Sequence, residues 1–242
     1  MHKAIFGAVL ILGACSSANS EAGQAGQAGG TRSTGQRAFQ VGEFHKVGLV
    51  GAHDVIVTVG GAPSVRAEGD SEALERLEIQ VDNGELQIGS RRDGWFSRNR
   101  GHVTVHVTMP SIDSAALAGS GNLRVDRAEA ETFAVSIAGS GDMEIGALRA
   151  RRANFEIAGS GGVRAAGNVE EADISIAGSG NASLDALQAR RAKVSVAGSG
   201  DVSLRATETV EGDLMGSGDL TVQGGARCSV DKLGSGDVRC GS

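Results

Sequence analysis

One tripeptide constrains this chain more than anything else in it. Gly-Ser-Gly recurs seven times, as Gly119-Ser120-Gly121, Gly139-Ser140-Gly141, Gly159-Ser160-Gly161, Gly178-Ser179-Gly180, Gly198-Ser199-Gly200, Gly216-Ser217-Gly218 and Gly234-Ser235-Gly236, at intervals of 20, 20, 19, 20, 18 and 18 residues. Self-similarity at such a period means stacked repeat units. Apolar residues alternate on both sides of each turn: Phe133, Val135 and Ile137 precede Gly139, and Met143 and Ile145 follow it. Alternation of period two gives short strands with one inward face. A unit of two such strands cannot bury that face alone, but stacking buries a continuous column. The expected fold is all-β, a single-stranded right-handed parallel β-helix (solenoid) with coils of 18–20 residues. Seven coils at roughly 4.8 Å make a column of about 34 Å. Glycine suits a corner that needs φ > 0 and where neighbouring coils leave no room for Cβ, and serine hydroxyls are expected to bond from coil to coil.

Alignment on the turns exposes further columns. Eight residues before successive turns stand Glu131, Arg151, Glu170, Arg190 and Glu208, and beside them Thr132, Arg152, Glu171, Arg191 and Thr209. Alternating sign predicts a ladder of ion pairs that holds the register of the coils. A ligand patch at Arg149-Ala150-Arg151-Arg152 is the competing reading, which the acidic alternate coils weaken. After the turns come Asn122, Asp142, Gly162, Asn181, Asp201, Asp219 and Asp237, expected to cap backbone amides. Gly-Ser-Gly-Asp is similar to the turn of the calcium-binding β-roll, which repeats every nine residues on both sides of a coil. Here the second turn is charged, so no metal site is assigned, although three acids in a row leave weak calcium binding open.

The core must be built from Val, Ile, Leu and Ala, because the chain has six Phe, one Trp and no Tyr. That composition, with a net charge of -6, argues against a nucleic-acid partner or an aromatic sugar cleft. No catalytic constellation is visible. His102 and His106 share a strand face about 13 Å apart in extended chain, too far to hold one metal ion. His45 and His53 lack a paired acid motif.

Met1-His2-Lys3, the uncharged run Ala4 to Ala14 and Leu12-Gly13-Ala14-Cys15 resemble a lipoprotein signal peptide with its lipobox. The resemblance implies cleavage before Cys15 and a covalent lipid on that residue; no cofactor besides that lipid is expected. If the source is a Gram-negative cell, Ser16 in place of Asp implies the outer membrane. Residues 15–37 read as a flexible Gly/Ala/Ser/Gln tether, and residues 38–242 as the β-helix domain. Within that domain, 38–110 are irregular opening coils closing the N-terminal end, with a turn signal at Asp82-Asn83-Gly84, and 111–242 are regular repeats. Arg91 to Arg100, with Trp95 and Phe96, form a cationic loop that either packs over the first coil or touches an anionic surface. Cys228 and Cys240 align with the inward Phe133 and Ile145. In an exported protein they are expected to form a disulfide stapling the last coil, two buried thiols being the alternative.

The Ala-Gly-Ser-Gly-[Asp/Asn] turns, their Val/Ile flanks, the opening Gly51-Ala52-His53-Asp54-Val55 and the lipobox together resemble the "putative auto-transporter adhesin, head GIN domain" family over about residues 40–240. The resemblance implies a right-handed parallel β-helix on an exported chain, and it brings no catalytic residues. The expected function is a non-enzymatic, lipid-anchored binding or adhesion module of the cell envelope, with an unknown envelope or surface ligand. A self-associating scaffold stacking into homo-oligomers through Cys228–Ser242 is the alternative, and a polysaccharide-active enzyme the third.

Overall fold

The computed structural model describes residues 33–91 and 101–241. The expected signal peptide, Cys15, most of the tether and residues 92–100 lie outside these. The strands are β1 (Thr34–Phe39), β2 (Lys46–Gly51), β3 (Asp54–Val59), β4 (Ser64–Asp70), then helix α1 (Ser71–Arg76), β5 (Leu77–Asp82), β6 (Glu85–Ser90) and β7 (Val103–Met109). They continue as β8 (Ser114–Gly119), β9 (Asn122–Val125), β10 (Ala128–Gly139), β11 (Asp142–Gly159), β12 (Gly162–Gly178), β13 (Asn181–Gly198), β14 (Val202–Gly216), β15 (Leu220–Gln223), β16 (Arg227–Gly234) and β17 (Val238–Cys240). From β8 onward every pairing is parallel and couples each residue to its counterpart one coil away. The chain is a β-solenoid, as the repeat requires. Its core is one continuous column, with Phe133, Val135, Ile137, Met143 and Ile145 all buried. Differences in repeat length are absorbed at the second bend, where the register shifts between Ile145 and Leu148 and between Leu184 and Gln188.

The glycine corner is held by backbone. The amide of Ser199 donates to the carbonyl of Gly178 at 2.9 Å, and Ser140 and Ser235 do the same to the coil beneath. No serine hydroxyl at these corners bonds a neighbouring coil among the described residues; the amides make the link instead, and the hydroxyls stand exposed. A Cβ on Gly198 would lie 2.0 Å from the Gly178 oxygen, and its φ of +141° is open almost only to glycine.

The N-terminal end departs from the expected order. The coil β2–β3 carries β8 and β9 on one side and β6 and β7 on the other, so the coil formed later in the chain lies outermost. Direction then reverses: β4 runs antiparallel to β7, β1 antiparallel to β4, and β5 antiparallel to β6. The β5–β6 hairpin turns through Asn83 and Gly84, with φ of 49° and 75°, the left-handed pair its sequence signals. Helix α1, capped by Asp70 accepting from the amides of Glu72 and Ala73, buries Ala73 and Leu74 against this end. The first described strand, β1, begins at Thr34, so Thr34 to Arg37 are strand rather than tether.

At the other end, Lys232 stands in register above Leu214, Val196 and Ile176, replacing an inward aliphatic with a charge in the last described coil. The Cys228–Cys240 disulfide is formed. Cys228 is half-buried and Cys240 exposed, because no further described coil covers them. Closing a 12-residue separation contributes on the order of 2–4 kcal/mol by restricting the unfolded chain.

Gly198→Ala should destabilise the fold by more than about 3 kcal/mol, from backbone strain plus the clash. Ser199→Ala, which removes only an exposed hydroxyl, should change stability by less than about 0.5 kcal/mol. Urea unfolding of the two variants measures both.

Candidate functional site

Each inward residue of a strand leaves its neighbours facing solvent, and stacking turns those neighbours into columns. On the sheet before the glycine corner, Asn154, Asp173, Lys193, Glu211 and Ser229 stack in register, and Glu156, Ser175, Ser195, Asp213 and Asp231 form a second column two residues on. Between them runs an open trough of about 620 Å³, floored by the backbone of Phe155, Ile174, Val194 and Gly212. A neighbouring hollow of about 540 Å³ separates the first column from Arg152, Glu171 and Arg191.

Those last residues carry the ladder. Arg152 reaches Glu171 at 2.6 Å, Arg191 reaches Glu171 at 2.7 Å and Glu208 at 3.5 Å, and Arg190 reaches Glu208 at 2.6 Å. Arg151 pairs with Glu131 at 2.5 Å. The continuous chain of pairs thus runs through the Arg152–Glu171–Arg191 column and crosses to Glu208, while Glu170 joins none of these pairs. In the paired register Arg152 lies opposite Glu171 and Glu171 opposite Arg191, which sets that column in line. Hydrogen bonds from Arg191 and Arg152 pull the Glu171 carboxyl down to about 2, and Arg190 lowers Glu208.

The column after the corner caps amides as expected. Asn181, Asp201 and Asp219 each accept at 2.9 Å from the amide one coil on. No group of three or more His, Cys, Asp or Glu able to hold a metal occurs among the described residues. The residue before each corner, alanine in five coils, forms one more exposed column: Val50, Ala118, Ala138, Ala158, Ala177, Ala197, Met215 and Leu233. That stripe is legible in the repeated Ala-Gly-Ser-Gly.

The histidines cluster at the N-terminal end, brought there by the inverted coil order. His102 Nε2 meets Asp54 Oδ2 at 2.7 Å, Asn122 donates to Asp54 Oδ1 at 2.8 Å, and His106 meets Glu68 at 3.3 Å. His53 is buried with Nε2 2.6 Å from Ser90 Oγ. The sequence offers no sign of these pairs, because up to 68 residues separate the partners. The Ser–His pair is not a catalytic triad: Nδ1 of His53 has no hydrogen-bond partner, and Asp54 is committed to His102 and Asn122. Burial pulls Asp54 upward, but the hydrogen bonds from Asn122 and His102 outweigh it and hold the carboxyl below its ordinary value. Burial, aided by His102, lowers His53 from its ordinary 6.5 against the pull of Asp54.

A solenoid that repeats its outward chemistry along an open face, and gathers no reactive groups in an enclosed cleft among the described residues, is the class of protein seen here. The chain belongs to the family described as "Putative auto-transporter adhesin, head GIN domain", which matches residues 43–226. It is similar to the crystal structure of a putative adhesin from Bacteroides fragilis, with TM-score 0.75 and 20% identity over 86% of this chain and 97% of that one. A putative lipid binding protein from Parabacteroides distasonis has TM-score 0.69 and 21% identity, covering 86% of this chain and 97% of its own. A putative adhesin from Parabacteroides merdae has TM-score 0.68 and 16% identity over 88% of this chain and 98% of that one. No curated protein matches this sequence. At such identities the likeness shows the fold.

Two pH dependences follow. The stability Glu171 contributes is present above pH 4.5 and lost as pH falls toward about 2. The melting-temperature gap between wild type and Glu171→Gln should therefore be largest near neutrality, close at low pH, and shrink in high salt. For His53, the unfolded chain takes up a proton below pH 6.5 that the folded chain refuses. Stability should then fall as pH drops below about 6.5, and His53→Gln should flatten that slope in melts between pH 7.5 and 5.

Proposed function

We propose that this protein is a non-enzymatic binding module of the cell envelope that acts in adhesion, held to the membrane by a lipid on Cys15. The observation that carries the reading is the repeating outward face. Catalysis needs a few unlike groups converging on one point; this face sets like groups at one axial spacing beside an open trough, which suits an extended partner. Membership of an adhesin-described family and the adhesin-titled relatives support it. The lipobox resemblance, with Ser16 after Cys15, supports outer-membrane anchoring. Asp142, Asp201 and Asp219 each accept a backbone amide from the next coil, so cation binding has no role in this reading.

The relative titled a lipid binding protein brings a second reading, which the exposed stripe from Val50 to Leu233 favours: an apolar seam along the column laid against acyl chains or a lipidated partner. Stacking of copies through the last coil is disfavoured at its partner surface, since the N-terminal end presents antiparallel strands and a helix rather than a matching parallel coil.

Protease treatment of intact cells, with lysed cells as control, tests the adhesion reading. Loss of the folded domain from intact cells, together with palmitate labelling abolished by Cys15→Ala, is expected. Protection until lysis would remove a role in contact with other cells.

A further inference from the structure

The reversal of direction at the N-terminal end builds a surface that the regular coils do not have. In the sheet β3–β7–β4–β1 the outward residues fall into rows across the strands. One row runs Asp54, Thr104, Glu68 and Gln36, the next Ile56, His106, Arg66 and Ala38, and the third sets Thr58, Thr108 and Ser64 side by side. Because β7 lies between β3 and β4, residues 60–63 cross its end, where the Gly60 amide donates to the Met109 carbonyl at 2.8 Å. With Pro63 of that crossing in its wall, an open hollow of about 730 Å³ lies against these rows. That volume falls in the range of small-ligand sites.

The charges in the hollow are unevenly satisfied. Glu68 has both oxygens engaged: Oε1 meets His106 Nε2 at 3.3 Å, and Oε2 accepts from the Gln36 amide at 3.5 Å. Arg66 is exposed, stands opposite His106 on the neighbouring strand, and joins no ion pair among the described residues. The ladder arginines Arg152, Arg190 and Arg191, by contrast, each hold a carboxylate. In the row beside Arg66, the hydroxyls of Thr58, Ser64 and Thr108 all line the hollow and bond to no other side chain among the described residues.

These groups specify a ligand class. The arginine fork matches one planar carboxylate through two parallel hydrogen bonds. A dianionic phosphate placed on the same single fork would stand against the Glu68 carboxylate one row away, and like charges at that range oppose binding. Neutral hydroxyls beside the fork suit the hydroxyl groups of a sugar ring, each able to donate and to accept, and not an acyl chain. With so few aromatic residues in the chain, stacking contributes little to holding a sugar, so the charge pair has to supply the discrimination.

We infer that this hollow binds a saccharide bearing a carboxylate, of the uronic acid class, with Arg66 clasping the carboxylate and Thr58, Ser64 and Thr108 meeting ring hydroxyls. The inference rests on the reading of the protein as a binding module and gives that module a ligand class.

Calorimetric titration of the full-length chain with trigalacturonic acid tests it, with the methyl ester of that acid, inorganic phosphate and phosphatidylglycerol vesicles as comparison probes. The acid should bind, and the ester, which keeps the ring hydroxyls but loses the charge, should bind at least about tenfold more weakly. Arg66→Gln should cost on the order of tenfold to a hundredfold for the acid and leave the ester unchanged. Arg66→Lys, which keeps the charge without the fork, should fall between wild type and Arg66→Gln. Arg164→Gln, in the same outward column three coils from Ile56, should change nothing. Arg66 is exposed, and circular dichroism checks that its variants are folded. No binding of the acid, equal binding of acid and ester, or an Arg66→Gln variant that binds as wild type does would each overturn the proposal. So would tighter binding of phosphate or of the vesicles than of the acid, since that assigns the hollow to phosphate groups. Protease treatment of cells separates this from the adhesion reading. An acid-binding domain protected until lysis keeps the hollow and removes adhesion, whereas an exposed domain that ignores the acid keeps adhesion and removes the hollow.

Discussion

The whole column depends on how closely one backbone can approach the next at the glycine corner. There the serine amide reaches the glycine carbonyl of the coil beneath, and the same carbonyl sits where a Cβ would have to go. A side chain at either flanking position would push the coils apart at one edge. The parallel ladders on both adjoining sheets would then lose register together, because each coil has only two neighbours and no other means of locating itself. Everything outward follows from that contact: residues fall into columns only because the coils are held in step.

Once in step, the columns divide the work. The arginine–glutamate ladder has little net strength as a set of exposed pairs, but it penalises a slipped coil, which would set like charges against each other. The Asn/Asp column ties amide to side chain along the next face. The charges of the trough columns join no ion pair among the described residues.

The two ends solve the problem of an open sheet differently. At the N-terminal end the strands reverse, so β1, β4 and β5 cover the column with antiparallel pairings and α1 seals Leu74 beneath. In the last described coil Lys232 replaces an aliphatic and a disulfide ties β16 to β17.

The fold was written plainly in the sequence because its information is local and repeated: the Gly-Ser-Gly period, the alternation around Phe133, Val135 and Ile137, and the Asn83-Gly84 turn each act over a few residues. Capping asparagines and aspartates, the ladder and the cysteine pair were readable once the coils were aligned, since alignment in sequence is adjacency in space. What the alignment could not supply was the order of coils that do not repeat. Only the tertiary structure places β6 and β7 outside β2 and β3, and with that placement come His53 on Ser90 and His102 on Asp54. The ladder's crossing from Arg191 to Glu208, the exposure of Cys240 and the unpaired state of the trough acids were likewise settled by side-chain geometry at bends and ends, where the periodicity that made the rest legible no longer holds.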